Sequence, residues 1–190
     1  GHAYVFGYGS VMSSASMQRT LKAREVAPWR DLVPVTVTGW SREWRYATHV
    51  RFDDNPDDLV SMVFLDLTRA SNQVCNGVVC RVTLDELAAF DLRERGYDRV
   101  EITSEVCGIG LDHPVYTYVG PESPATDSTR AVIGNRYEQM VLDAAAEFGD
   151  AFLEEFKRTT RQSELPRRDG HYQFADPAQN AAAGRNKMSS

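Results

Sequence analysis

The sequence predicts an α+β fold, in which a mixed sheet closes toward a small barrel and a long C-terminal helix packs on it. Two patterns support this class: several short segments typical of β-strands, and two helical patterns, of which the second is long and follows the last strand. Hydrophobic residues make up 42% of the chain and charged residues 25%, as in an ordinary globular domain. At 190 residues the chain is long enough to bury a core.

The strands are predicted from apolar residues that alternate with polar ones or form short continuous runs. In residues 33–44 the alternation places Val35 and Val37 on one face and Trp40 on the other. The acidic run 53–58 lacks the central glycine and the closing glutamate of a calcium-binding loop, so it is interpreted as a solvated hairpin tip. The predicted strands are the segment that ends at Phe6 and residues 33–44, 59–67, 77–82, 99–107 and 115–119.

Two helices are predicted from capping and periodic patterns. Thr83 and Glu86 have the spacing of a capping box, so a short helix begins there and continues almost to Gly96, which ends it. Asn135 is expected to cap a much longer helix, because the apolar stripe that follows it extends to Phe156. This second helix is expected to lie along the sheet.

The domain is predicted to span residues 3–160. Gly1-His2 resembles the remnant of a cleaved tag and is left out of it. From Arg161 onward the chain becomes polar, with several prolines and glycines and an end rich in alanine, asparagine and serine. Residues 161–190 are therefore interpreted as a polar C-terminal tail that is extended or disordered.

Charge and composition argue against several classes of function. A formal net charge of -6 is unlike that of a nucleic-acid-binding protein, and no apolar run approaches the length of a membrane span. Cys75, Cys80 and Cys107 have neither Cys-x-x-Cys spacing nor a nearby histidine pair. They are interpreted as reduced, mostly buried thiols of a cytoplasmic protein, and no metal site is predicted.

The first candidate site is a glycine-rich turn, Val5-Phe6-Gly7-Tyr8-Gly9-Ser10-Val11. An apolar strand that ends in glycines leaves backbone N–H groups unpaired at its tip, where they can bind an anion or a developing oxyanion. Ser10 has no base near it in the sequence and is expected to donate or accept hydrogen bonds rather than to act as a nucleophile. A plain turn is the alternative, because Gly-x-Gly alone is a weak signal.

The second candidate site is the end of the short helix, in residues 90–99. It contains Asp91, Arg93 and Glu94, followed by Tyr97. Considered alone, such a charged helix end is more often a solvated surface than a catalytic site. This helix end is a functional candidate only if the fold brings it close to the glycine turn.

Together these stretches resemble the γ-glutamylcyclotransferase superfamily. The resemblance consists of Phe6-Gly7-Tyr8-Gly9-Ser10, the strand 77–82, Phe90-Asp91-x-x-Glu94 with Tyr97 and Arg99 after it, and a late helix that opens with Asn135-Arg136-Tyr137. It covers residues 3–156 in the family's order. Each motif is short, but all of them at these separations are characteristic.

The resemblance implies a site where the glycine turn meets the glutamate. By analogy with the family, Tyr8, Gly9, Ser10 and Val11 hold the γ-glutamyl group of the substrate, and Glu94 is the general acid and base. The resemblance also places Tyr97 and Tyr137 at the substrate. The products would be 5-oxoproline and a free amine, and the family's reaction uses neither a metal nor an organic cofactor.

The substrate of such a reaction carries its own nucleophile, so the protein has few tasks. The α-amine of a γ-glutamyl amide already lies within reach of its own γ-carbonyl, so the protein need only fix the reactive conformer and move protons. A carboxyl group in a poorly solvated pocket, with its pKa raised toward neutrality, suits that task.

Several alternatives stay open on the sequence. Gly7 and the Arg93-Glu94 pair resemble the ChaC branch, which acts on glutathione, whereas that branch's Arg-Gly-Thr segment is absent after the Trp40 to Trp44 region. The substrates that remain are glutathione, γ-glutamyl amino acids, γ-glutamylamines and a γ-glutamyl-protected biosynthetic intermediate. The oligomeric state is open, a homodimer included.

Two further readings compete with an enzyme. One is a non-catalytic member of the same fold that binds a small acidic ligand or a protein partner. The other is a generic α+β domain, which predicts no pocket that joins Tyr8 to Glu94.

Overall fold

The computed structural model describes residues 1–122 and 130–184. Within these residues the chain forms five α-helices and a set of strands of very unequal length. The strands are β1 (His2–Gly7), β2 (Leu32–Phe52), β3 (Asn55–Thr83), β4 (Asp98–Glu101), β5 (Val106–Cys107), β6 (Val115–Val119), β7 (Ile133–Gly134), β8 (Arg167–Arg168) and β9 (Tyr172–Phe174). The helices are α1 (Ser14–Thr20), α2 (Leu84–Arg93), α3 (Asn135–Ala146), α4 (Asp150–Arg158) and α5 (Pro177–Ala182).

The main sheet is mixed, with the strand order β4-β6-β1-β3-β2-β5 and with β9 paired to β2. The central strand β1 is antiparallel to β3 and parallel to β6. Val5 and Phe6 of β1 are fully buried, because this strand has neighbours on both edges and side chains packed on both faces. The predicted α+β class is confirmed, and the sheet is curled strongly into a half-barrel.

Strands β2 and β3 form one long antiparallel hairpin rather than the three separate segments that the sequence suggests. The acidic run turns at residues 53–54, where Phe52 pairs with Asn55, so the predicted hairpin tip is confirmed. The pairing is irregular between Thr38 and Trp40. A bulge there shifts the side-chain alternation by one position, so Trp40 lies buried with Val37 instead of opposite it.

The short helix α2 matches its sequence signals closely. The hydroxyl of Thr83 accepts a hydrogen bond from the N–H of Glu86, and the Glu86 carboxylate accepts one from the N–H of Thr83. The predicted capping box is therefore present. The helix ends at Arg93, and Glu94 is its C-cap residue. Two adjacent charged side chains, those of Arg93 and Glu94, therefore stand at this end of the helix.

The long C-terminal helix is a wrong prediction, since the segment forms two shorter helices. Helices α3 and α4 are separated at Gly149, whose φ of 97° lies in the left-handed region and cannot continue a helix. The apolar stripe continues across the break because both helices pack on the same core, through Tyr137, Val141 and Phe156. Gly134 rather than Asn135 is the N-cap residue of α3.

The C-terminal segment also differs from the expected extended or disordered tail over residues 161–184. Strand β9 pairs antiparallel with β2, with Phe174 opposite Val50 and Tyr172 opposite Phe52. The Asp176 side chain caps α5, and Pro177 occupies the first turn of that helix. Residues 185–190 lie outside the described part of the chain.

No helix in residues 1–122 and 130–184 is long and apolar enough to cross a membrane.

Candidate active site

The glycine turn leaves the end of β1 and turns sharply into a short 3₁₀ segment, Ser10–Met12. Its glycines allow two close approaches. A Cβ atom on Gly7 would lie 2.7 Å from a methyl carbon of Val11, and one on Gly9 would lie 3.1 Å from the hydroxyl of Tyr137. Any larger residue at position 7 would clash with Val11. Glycine at position 9 lets the backbone approach the Tyr137 hydroxyl.

Arg42 holds this turn from inside the protein. It is fully buried, and its Nε donates a hydrogen bond of 2.9 Å to the carbonyl oxygen of Tyr8. The other guanidinium nitrogens donate to oxygens of four residues, none of them a carboxylate: Asn76, Phe156, Thr159 and Thr160. Burial lowers the pKa of Arg42 from its ordinary value, because the charged form loses its hydration.

The guanidinium of Arg42 also lies 4.0 Å from the centroid of the Phe156 ring, over its face. Arg42 thus connects the glycine turn with β2, β3 and α4. The sequence did not indicate that Arg42 is buried, because the strand alternation predicted for residues 33–44 did not place it in the core. An arginine between two tryptophans was the only signal.

Glu94 stands at the end of α2 with its side chain 15% exposed. Removal from water raises the pKa of this carboxyl above the ordinary value of a glutamate. The neighbouring Arg93 opposes the shift, since its Nε lies 3.1 Å from Oε1 of Glu94, but it does not reverse it. A raised pKa makes the protonated form of a carboxyl group more accessible, which suits a group that both accepts and returns a proton.

Arg93 links the glutamate to the glycine turn, a role that the sequence did not reveal. One of its terminal nitrogens donates to the hydroxyls of Ser10, at 3.2 Å, and Ser16, at 2.6 Å. The other donates to the backbone oxygen of Ser16 and to the hydroxyl of Thr20. The Arg93-Glu94 dipeptide was visible in the sequence, but the distance to Ser10 depends on the fold.

Several tyrosines surround the space between the glycine turn and Glu94. The Tyr8 hydroxyl donates a 2.5 Å hydrogen bond to the carbonyl oxygen of Tyr118, and Tyr97 stacks on Tyr46 with ring centroids 4.1 Å apart. Burial raises the pKa of Tyr8, Tyr97 and Tyr137 well above the ordinary value, so all three are neutral at physiological pH.

Asp91 and Arg99 of the second motif hold one of these tyrosines, Tyr118, in place. Asp91 accepts hydrogen bonds of 2.7 Å from the Tyr118 hydroxyl and from Arg99. Neither side chain lines the cavity beside the glycine turn. The aspartate of the Asp-x-x-Glu motif thus orients a tyrosine, and the glutamate faces the cavity.

All seven predicted site residues line one inner cavity of about 30 Å³. They come from three separate parts of the chain: Tyr8, Gly9, Ser10, Val11, Glu94, Tyr97 and Tyr137. Leu65 and Tyr118 also line it, although no sequence pattern marks either as a site residue. The generic reading, in which no pocket joins Tyr8 to Glu94, is contradicted by this cavity.

A larger outer cavity of about 110 Å³ adjoins the inner one. Four residues line both: Ser10, Glu94, Tyr97 and Tyr137. A group that fills the inner cavity can therefore continue past Glu94 into the outer one. No cluster of three or more His, Cys, Asp or Glu side chains that could hold a metal ion occurs in the part of the chain that the structure describes.

No protein-family model and no curated protein matches this sequence. Among solved structures, the chain is similar to a gamma-glutamyl cyclotransferase at 12% identity and a TM-score of 0.60, covering 97% of this chain and 99% of that one. It is similar to an uncharacterized protein from Homo sapiens at 12% identity and a TM-score of 0.58, covering 95% and 98%.

A third similar structure is YkqA from Bacillus subtilis, at 21% identity and a TM-score of 0.52. The match covers 88% of this chain and 56% of YkqA, so this chain spans little more than half of that protein. At such identities these likenesses concern the fold alone.

The contacts of Arg42 generate a stability prediction. Arg42→Lys keeps a positive charge but not the planar fork of donors, so several buried oxygens lose their partner. We expect it to lower the free energy of unfolding by about 1–3 kcal/mol for each buried oxygen left unpaired, measured by urea denaturation. The matched control is Arg158→Lys, because Arg158 is 65% exposed and pairs with Glu155 on the surface. Equal stability of the two variants would show that Arg42 does not hold the turn.

Proposed function

On the premise that this chain has the γ-glutamylcyclotransferase-like fold, we propose that it converts a γ-glutamyl amide into 5-oxoproline and a free amine. One observation carries the proposal. A partly desolvated carboxyl group, Glu94, and a glycine turn, residues 8–11, line the same small cavity. The first is suited to move protons, and the second presents backbone N–H groups.

The proposed reaction begins with the substrate's α-ammonium group, which gives a proton to the Glu94 carboxylate. The amine then attacks the γ-carbonyl carbon of the same molecule, and a five-membered ring closes. The ring nitrogen loses its second proton as the bond from carbon to the leaving nitrogen breaks. Glu94 returns protons to the leaving nitrogen, so two protons leave the ring nitrogen, two reach the departing amine, and no water is consumed.

The raised pKa of Glu94 supports both halves of this cycle. An ordinary glutamate would be a weak base toward an ammonium group, and it would rarely hold a proton for the departing amine. Desolvation raises the pKa of Glu94 and so brings it closer to the pKa of the substrate's ammonium group, which makes the protonated form of the carboxyl more accessible. The positive charge of Arg93 limits the rise in the pKa of Glu94. Arg93 also donates hydrogen bonds to both Glu94 and Ser10, so it holds the carboxylate near the turn.

The turn would hold the rest of the glutamyl group. The first N–H groups of a helical turn have no partner within that turn, so residues 9–11 can donate to an oxygen in the cavity. That oxygen is either the α-carboxylate of the substrate or the γ-oxygen, which becomes negative as the amine attacks. The neutral hydroxyl of Tyr137, close to Gly9, can donate to the same oxygen.

The proposal predicts turnover that depends on Glu94. The purified protein should release 5-oxoproline, detected by mass spectrometry, from at least one compound in a panel of γ-glutamyl amino acids, glutathione and γ-glutamylamines. Glu94→Gln is nearly isosteric, and it should lower turnover about 10²- to 10⁴-fold because the proton shuttle is lost. Binding of 5-oxoproline should change little.

The matched control for this test is Glu154→Gln, since Glu154 is 74% exposed on α4. It should retain full activity. If Glu94→Gln were as active as the unmutated protein, Glu94 would not be the acid and base. If the panel gave no 5-oxoproline while 5-oxoproline or glutamate raised the melting temperature, a protein of this fold that only binds a small acidic ligand would be favoured instead.

The pKa of Glu94 also predicts how stability depends on pH, without any substrate. Because the folded-state pKa is raised above 4.5, the folded protein holds this proton at pH values where the unfolded chain has lost it. Stability relative to Glu94→Gln should therefore be greatest below pH 4.5 and fall as pH rises through the folded-state pKa. Urea denaturation of both proteins across this range measures the difference, and a constant or rising difference would contradict a raised pKa.

A further inference from the structure

The C-terminal segment, residues 172–183, contributes five of the residues that line the outer cavity. Strand β9 contributes Tyr172 and Phe174, and the segment around α5 contributes Gln179, Ala182 and Ala183. This segment is held in place by pairing with β2 and by the cap of Asp176 on α5. It lines the outer cavity together with residues of α1 and of the end of α2.

The position of Glu94 decides which part of a substrate reaches this cavity. Tyr8 and Gly9 line the inner cavity and not the outer one, whereas Glu94 lines both. If the γ-glutamyl group lies against the turn with its amide at Glu94, the group on the other side of that amide lies in the outer cavity. In that pose the outer cavity holds the leaving amine.

The charges around the outer cavity are unbalanced. Arg19 and Arg95 line it in addition to the Arg93-Glu94 pair. Among the described residues that line it, Glu94 is the one acidic side chain, and it faces Arg93. The cavity thus carries an excess of positive charge on the side where a leaving group would lie, which favours a negatively charged group there.

Asp176 lies next to this charge without lining the cavity. Its Oδ2 is 3.9 Å from Nε of Arg95, while its Oδ1 accepts the capping hydrogen bond from the N–H of Ala178. The side chains of Arg95 and Asp176 are 62% and 49% exposed, so this ion pair is weak. A carboxylate in the cavity can compete with Asp176 for Arg95.

We propose that the outer cavity is a leaving-group subsite that selects an amine bearing a carboxylate, such as an amino acid or a peptide, over an amine without one. The proposal rests on the proposed function and narrows its substrate. Arg95 and Arg19 attract the carboxylate of the leaving group. The apolar part of that group packs against Phe64, Met140 and Phe174, which also line the cavity.

Two substrates that differ only by a carboxylate test this inference. γ-Glutamylalanine and γ-glutamylethylamine have the same amide and the same carbon skeleton apart from that group. The KM for γ-glutamylalanine should be lower. Arg95→Gln should raise it about two- to fivefold, as expected for one partly exposed ionic contact, and should leave the KM for γ-glutamylethylamine unchanged.

Asp176→Asn gives a change of opposite sign. Asparagine also caps helices well, so α5 should stay intact while Arg95 loses its competing partner. The KM for γ-glutamylalanine should then fall, again with no change for γ-glutamylethylamine. Arg161→Gln is the matched control, because Arg161 is 75% exposed and does not line the cavity, and it should alter neither KM.

The outcomes separate this inference from the function on which it rests. If no γ-glutamyl compound yields 5-oxoproline, the proposed function fails. If both substrates yield 5-oxoproline with equal KM values, and neither Arg95→Gln nor Asp176→Asn changes the difference, the subsite proposal is wrong and the proposed function stands. A fall in both KM values with Arg95→Gln would likewise overturn the proposed role of this charge.

Discussion

The hydrogen bonds of Arg42 are the interaction on which the site most depends. Removing a guanidinium from water is costly, and burial with a carboxylate is the usual compensation. Here the charge is instead surrounded by neutral oxygens of Tyr8, Asn76, Phe156 and two threonines. Because these oxygens belong to the turn, the hairpin and α4, the side chain fixes the positions of three elements at once. The glycine turn has no long strand pairing of its own beyond Gly7.

A second arginine, Arg93, also holds the glycine turn, through a different residue. Arg93 is only 10% exposed and contacts Glu94, Ser10 and Ser16. It brings a carboxylate to a turn that is more than 80 residues away in the sequence. The two arginines thus hold the same turn, one through the carbonyl of Tyr8 and the other through the hydroxyl of Ser10.

The elements that the sequence predicted well are those with strong local signals. The capping box at Thr83 specifies the start of α2, and the glycine turn specifies the end of β1. The seven site residues followed from a resemblance of short motifs, and the structure brings them to one cavity, although their roles stay predictions. The strand order depends on long-range pairing and could not be read from the chain.

What the sequence did not predict has physical causes that can be named. The bulge near Gly39 reverses the alternation of β2, which concealed the burial of Arg42. Gly149 divides the segment with the continuous apolar stripe into two helices. An apolar stripe indicates which side chains pack on the core, but it does not show where the backbone leaves the helical conformation. The segment after Arg161 appeared polar because its few aromatic residues, Tyr172 and Phe174, alternate over only three positions.

A crystal structure of the Glu94→Gln protein with bound γ-glutamylalanine would show directly whether the turn and Glu94 hold one substrate. The glutamyl group should lie in the inner cavity against the turn of Tyr8 to Val11. Its α-amine should lie about 2.6–3.2 Å from the side chain of residue 94, with the alanine extending toward Arg95. A ligand bound elsewhere, or one whose amide points away from residue 94, would contradict the claim that the turn and Glu94 form one catalytic site.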